Sequence, residues 1–409
     1  MSSSSVSGVC AESAVCSRVR LGDVIASRND IIHPRDNPSG RDVFVGLEHI
    51  ESGTGRRVGS DEIEKATMTG RKARFRAGDI VYGYLRPYLN KVWLADFDGL
   101  CSVDQYVYVV DSQRVDAEYI ALFMRSPSFL SRAPVDSGPG QLPRIRLDEI
   151  ARVELDLPPL PQQKVIAAAL REQLDAAARM RAAAQGQAEV AAGLWRRTAD
   201  QHFLSEDIGR HERRLLREIC VTGGQYGTSM KSNQEGEGIP VLGMPNIRAG
   251  RLIWDPVSCV DLGASDIEKY KLRDSDLLFN RTNSAERVGK TAVFRGSREA
   301  AFASYLIRFR VDPAYAIPDY VCALINSSLG RRFIEANMTR AIGQVNISAS
   351  AMHRLPIRLP PMSEQAALVE ALGSITKRSD QIREASRMQA SATQHLESAF
   401  MRRAFSESL

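Results

Sequence analysis

No stretch of the chain approaches the ~18 consecutive apolar residues that a membrane span needs, so nothing in it reads as a transmembrane helix. Its six cysteines, Cys10, Cys16, Cys101, Cys220, Cys259 and Cys322, show no Cys-x-x-Cys spacing and no histidine at zinc-site distance. Scattered reduced thiols in a cytoplasmic protein are the expectation. Met1 to Ser7 is serine-rich without a basic start or an apolar core, which reads as part of a disordered tail over residues 1–17, not a signal peptide. Enzyme signatures are missing as well. Gly289-Lys290-Thr291 looks like the end of a phosphate loop, but Ser284 stands where that loop needs glycine. No Gly-x-Gly-x-x-Gly follows a strand, and no Gly-x-Ser-x-Gly, His-Glu-x-x-His or Asn/Asp-Pro-Pro-Tyr/Phe occurs. His33, His49, His202, His211, His353 and His395 are scattered, and the acidic residues form no metal-ligand spacing. The expectation is a non-catalytic protein with no metal site and no cofactor of its own.

What is present is a repeat. Leu157-Pro158-Pro159-Leu160-Pro161-Gln162-Gln163 returns 202 positions on as Leu359-Pro360-Pro361-Met362-Ser363-Glu364-Gln365. Each copy opens a long alanine-rich stretch, and the two stretches end at the same shift on Phe203 and Phe405. A period this long excludes a solenoid and marks a duplicated module. Ahead of each motif lies a region of short strands and one helix. Val43–Leu47, Asp79–Tyr84 and Tyr106–Val110 read as strands and Ala117–Arg125 as a helix. Ile239–Met244, Asp276–Arg281, Tyr305–Phe309 and Asp319–Ile325 replay that order, with Gly46 and Gly243, Asp79 and Asp276, and Tyr119 and Tyr320 as matched framework positions. The predicted architecture is α/β, with α+β domains over 18–157 and 206–359, long helices over 158–205 and 360–409, and a pseudo-two-fold internal repeat.

In the second long stretch Leu368, Ile375, Ile382, Gln389 and Leu396 share a heptad line, beside Ala371, Ala385, Ala392 and Ala399. The 202 shift carries these lines to Ile166, Gln173, Met180, Gln187 and Leu194, beside Ala169, Ala176, Ala183 and Val190. One large and one small residue per heptad suits closely packed helices, and predicts an antiparallel coiled coil acting as a spacer. Packing of each helix on its own domain is the other arrangement this pattern allows.

The net charge of +5 is compatible with a polyanionic partner. Base readout needs Arg or Lys for guanine and Asn or Gln for adenine, and phosphate contacts need clustered positive charge. The first half offers Arg71, Lys72, Arg74 and Arg76, then Tyr84, Arg86, Asn90 and Lys91 after the central strand. The second half offers Asn280, Arg281, Asn283, Ser284, Arg287 and Lys290 at the same place. A second candidate precedes each Leu-Pro-Pro motif: Gln141 with Arg144, and Gln344 with Asn346. The same charges also suit a solvated face. A shared framework with unlike loops fits two binding modules with different targets.

Gly343-Gln344-x-Asn346-Ile347-Ser348, Leu355-Pro356-Ile357 and the Leu-Pro-Pro-x-x-x-Gln signature before a long helix resemble the specificity subunits of type I restriction–modification systems. Asn283-Ser284-x-x-x-Val288-Gly289-Lys290 ahead of Val293-Phe294 is similar to part of their target-recognition domains. The likeness covers nearly the whole chain. It departs where Arg144-Ile145-Arg146 stands against Asn346-Ile347-Ser348, and Gln162 against Glu364. The resemblance implies that each domain reads one half of a split site in double-stranded DNA and that the helices set the gap. It implies two methyltransferase subunits that flip and methylate an adenine, and an endonuclease/translocase subunit. S-adenosylmethionine, ATP and Mg would belong to those partners. A specificity subunit of a fused methyltransferase–nuclease system, a stand-alone DNA-binding regulator and a protein-docking scaffold are the competing readings. No compact helix-turn-helix supports the regulator. The unlike loops Gly83–Lys91 and Asn280–Lys290 argue for two different ligands, which two different proteins would also satisfy.

Overall fold

The computed structural model describes residues 16–136, 142–233, 237–296, 298–341 and 344–405. The chain divides into two units, residues 1–184 with 388–409, and residues 185–387. Each long helix contributes to both: Leu160–Phe203 and Met362–Phe405 are 44 residues apiece.

In the first unit the central sheet is antiparallel, in the order Ile25–Ser27, Gln105–Val110, Ile80–Gly83, Val92–Leu94. Alternate side chains of a strand leave on opposite faces. Ile80, Tyr82, Val92 and Tyr108 accordingly join a core with the helix Ala117–Arg125. Val81, Trp93 and Val107 join a second core with Phe75, under a five-stranded sheet. Burial on both faces explains why this strand is almost wholly apolar. Ser17–Arg20 pairs antiparallel with Glu154–Leu157, so Ser17, read as part of the tail, opens a strand.

The second unit repeats the plan. Cys220–Tyr226, Leu306–Val311, Leu277–Asn280 and Thr291–Val293 form the sheet. Leu277, Phe279, Ile307 and Phe309 face one core, and Leu278 and Leu306 the other. Pro318–Asn326 is the counterpart of the helix Ala117–Arg125, and Glu212–Leu215 pairs with Pro356–Leu359 as the closing strands.

The helices run antiparallel within each unit. In the first, Arg181 pairs with Glu397 at 2.9 Å, while Leu170, further back, shares a core with Met401 and Phe405. In the second, the Ser379 hydroxyl donates to the Ala191 carbonyl at 2.8 Å, while Ala199 and Phe203 share a core with Leu368 and Leu372. Phe405 packs on Tyr119 and Phe123 (ring centroids 5.3 and 5.6 Å), and Phe203 on Tyr320 (5.2 Å). The phenylalanine ending each long helix therefore sits in the core built by the other half of the repeat.

The seven-residue period and the 202 shift hold, but the phase of the seam differs from the expectation. The buried line starts at the motif glutamine: Gln163, Leu170, Ala177, Ala184 and Ala191 on one helix, and Gln365, Leu372, Ser379 and Thr393 on the other. Of the expected line, Leu368 is buried, whereas Met180, Val190, Leu194, Ile382 and Leu396 are exposed. Small and hydroxyl side chains let two backbones approach closely, and the larger apolar residues fall outside. Ala177→Leu is expected to destabilise the protein by ~1–3 kcal/mol through overpacking, and Met180→Ala by less than ~0.5 kcal/mol. Denaturant midpoints check this, and the reverse order would restore the other phase.

Candidate nucleic-acid interface

Both units hold their candidate residues on one backbone frame. Asp79 and Asp276, almost fully buried, each cap the turn entering the central strand. Asp79 accepts from the Arg76 N–H at 2.7 Å and from Arg28 Nε and Nη2 at 2.6 and 2.9 Å. Asp276 accepts from the Arg273 N–H at 2.9 Å and from Arg310 Nε at 2.7 Å, with Arg308 at 3.5 Å. A buried carboxylate is tolerated only when paired and hydrogen-bonded in this way. The strand then exits into Tyr84-Leu85 in one unit and Arg281-Thr282 in the other. Ile145 N–H donates to the Tyr84 carbonyl at 3.2 Å, and Ile347 N–H to the Arg281 carbonyl at 2.9 Å. Leu85 lies opposite Arg144, and Thr282 opposite Asn346. The two candidate clusters, about sixty residues apart in sequence, are thus one surface in each unit.

The side chains on that frame differ. In the first unit Tyr84 stacks on Tyr106 with centroids 4.3 Å apart and planes 18° from parallel. Burial pushes the Tyr84 phenol up, with Asp104 adding to it, while the positive charges of Arg144 and Arg71 pull it back. Arg86 is exposed, with a left-handed backbone at φ 52°. In the second unit the Arg281 guanidinium lies 4.9 Å over the Tyr226 ring. The Thr282 hydroxyl donates to the Asn346 side-chain oxygen, and among the described residues the Asn346 NH2 donates to no partner. The Asn283 oxygen accepts from Ser284 N–H at 2.8 Å, and its NH2 meets Met244 Sδ at 3.6 Å. Gln344 is exposed one residue from Val345, which is paired with Asn283.

Other expected residues are occupied by the fold. Asn90 donates to the Arg125 carbonyl at 2.7 Å, and Lys91 Nζ to the Leu47 carbonyl at 2.5 Å. Lys72 sits 4.3 Å over the Phe44 ring, and Arg74 pairs with Asp30 at 3.4 Å. Asn280 is 1% exposed and reaches the Arg287 carbonyl. These side chains serve packing, a role that residue type and spacing do not separate from DNA contact. Arg76, Ser284 and Arg287 are exposed. Lys290 lines a separate groove of about 730 Å³ with Trp195, Arg197, Arg251 and Arg383. Gln141 lies outside the described residues.

Two residues were missed. Tyr226 ends a strand with irregular pairing after Gly223-Gly224, and Arg340 is exposed in a strand paired to Gln344–Asn346. An exposed tyrosine flanked by Gly224 and Gly227 was the available signal for the first. Folding also brings Glu48, His49 and Asp61 close enough to share a metal ion, which their spacing did not announce. Both acids are exposed, and His49 Nδ1 already accepts from Gly46 N–H at 3.0 Å, so a turn and its surface charges account for the group. Among the described residues no helix is long and apolar enough to cross a membrane.

Residues 212–389 match the family model of the type I restriction modification DNA specificity domain. The EcoDI specificity subunit of Escherichia coli is 32% identical over 148 residues, 36% of this chain and 32% of that protein. The EcoKI specificity subunit of Escherichia coli strain K12 is 26% identical over 303 residues, 69% of this chain and 63% of that protein. The chain thus spans about a third of the first relative and somewhat under two thirds of the second. Among solved structures, a chain of a type I R-M system complex superposes with a TM-score of 0.73 at 21% identity, covering 96% of this chain and 98% of that one. The HsdS subunit from Thermoanaerobacter tengcongensis gives 0.58 at 20% identity, with 97% of each chain covered. At these identities the structures show the fold. The resemblance to type I specificity subunits read from the motifs holds.

The geometry separates side chains engaged within the fold from candidate contact residues. Asn90→Ala loses the bond to the Arg125 carbonyl and puts alanine at φ 49°, and is expected to cost ~1–3 kcal/mol of stability while leaving DNA affinity of the folded protein unchanged. Arg144→Ala is expected to do the reverse, with stability within ~0.5 kcal/mol and affinity for one half-site reduced. Denaturation and DNA titration of each variant check the pair.

Proposed function

We propose that the chain is the DNA specificity subunit of a type I restriction–modification system, each unit reading one half of a split, gapped site in double-stranded DNA. The observation that carries this reading is the common frame with unlike side chains: Tyr84, Arg144 and Arg71 on one copy, Arg281, Asn346 and Gln344 on the other. A fixed scaffold with exchangeable donors is what base readout of two different half-sites requires. The chain itself is non-catalytic in this reading and works in the cytoplasm. Adenine methyltransferase subunits supply S-adenosylmethionine chemistry on a flipped base, and an endonuclease/translocase subunit uses ATP and Mg. Comparison of the methylome of the source strain with the gene intact and deleted tests this. Loss of one adenine-methylated motif made of two short halves around a fixed gap is expected. Survival of every methylated motif would sink it.

The long helices are the proposed ruler. Each is 44 residues, hence ~66 Å at 1.5 Å per residue. Because the seam repeats every seventh residue, adding seven residues to both helices at matched places keeps the small side chains in register and adds ~10 Å. At ~3.4 Å per base pair the unspecified gap is expected to widen by about three base pairs, with both half-sites unchanged. Sequencing of the methylated motif in the variant reads this directly, and an altered half-site with an unaltered gap contradicts it.

A further inference from the structure

Arg281 differs from several arginines of its unit in what holds it. Arg308 and Arg310 are committed to Asp276, Arg251 to Asp380 and Arg295 to Asp274 and Asp319. Among the described residues no carboxylate pairs with Arg281, and its Nε is buried without a hydrogen-bond partner. Its backbone is nonetheless clamped on both sides: the N–H donates to the Tyr305 carbonyl at 3.0 Å, and the carbonyl accepts from Ile347 N–H. Its guanidinium rests on Tyr226, and that ring is itself fixed, because its hydroxyl accepts from the Ala349 N–H at 3.1 Å. The result is a planar fork of donors, held in orientation by an aromatic face, with donor capacity left over.

We infer that Arg281 reads the major-groove edge of one guanine in the half-site of the second unit, and that Tyr226 is the positioning residue that orients its guanidinium. This rests on the DNA-specificity reading above. Guanine presents two acceptors, O6 and N7, to a planar fork, whereas adenine and cytosine each place an amino donor there and thymine a single acceptor beside a methyl group. A phosphate contact asks only for positive charge, which a mobile lysine supplies as a point charge; a stacked and anchored guanidinium is suited to a base edge. At the equivalent place the first unit carries Tyr84, so the inference is confined to one half-site.

The test is selection of duplexes from a randomised pool by the full chain in complex with its methyltransferase, for the wild type, Arg281→Ala, Tyr226→Leu and Tyr226→Phe. The wild type is expected to select a split motif. Arg281→Ala should lose preference for a single guanine in one half by about tenfold to a hundredfold, with the other half intact as an internal check on folding. Tyr226→Leu should weaken the same preference, and Tyr226→Phe, which keeps the ring but loses the hydroxyl that anchors it, should weaken it less. Uniform weakening on all duplexes with both half-sites unchanged would make Arg281 a phosphate contact and overturn the inference, as would relaxation at a position other than guanine. An unchanged guanine preference in Tyr226→Leu would overturn the positioning role. If the wild type selects no split motif, the specificity reading fails and this inference goes with it.

Discussion

Two buried glutamine amides set the geometry of everything else. Gln163, fully buried, accepts from the Asp116 N–H at 2.9 Å and donates to the Arg114 and Pro158 carbonyls at 3.0 and 2.8 Å. Gln365 does the same with the Ile317 N–H and the Tyr315 and Pro360 carbonyls. Each amide ties the first turn of a long helix to its own proline-rich entry and to the loop before a short helix. All three bonds form together in one orientation only, and leaving a buried amide unpaired costs ~1–3 kcal/mol for each group. The rotation of each long helix about its axis is thereby fixed at its first turn. The seam then follows at every seventh residue from that glutamine, which is why the copies share a phase as well as a period.

From this start the two copies of the repeat become mutually dependent. A helix launched from one half ends with its phenylalanine against Tyr119 or Tyr320 of the other. The contact is backed by polar bonds near the same ends: Asp200 accepts from the N–H of Ser328, and Ser128 donates to the Phe405 carbonyl. Neither sequence repeat is a structural unit by itself, since each unit is completed by residues from the other copy's helix. The frame that carries the candidate DNA contacts hangs from the same cores, because Phe279 and Ile307, next to the exit strand, share a core with Phe203.

Much of this was legible in the sequence where one physical pattern dominates. The helix Ala117–Arg125 shows its apolar periodicity plainly, and Asp79 and Asp276 mark a turn that only a capping carboxylate serves so well. The seam was read one line away because hydrophobicity was taken to mean burial. In two closely packed helices the space admits Ala177, Ala191 and Ser379, and a serine there is satisfied by a carbonyl of the facing helix, which no hydropathy pattern reveals. The interface was half visible. Matched positions located the strand exits, but Asn90, Lys91 and Asn280 have the residue types of DNA contacts and spend their donors inside the fold. Tyr226, more than fifty residues from Arg281, became relevant only once its strand was placed against Leu306–Val311.

The seating of Phe405 also orders events in time. Residues 185–387 form a contiguous unit that has all its parts once residue 387 has been made, whereas the unit begun earlier lacks its last helical turns until residues 388–405 appear. At ~5–20 residues per second of synthesis, the apolar faces of Tyr119, Phe123 and Leu170 wait on the order of 10–60 s for Met401 and Phe405. The half that leaves the ribosome first is therefore the last to be closed, and during that interval its core stays open.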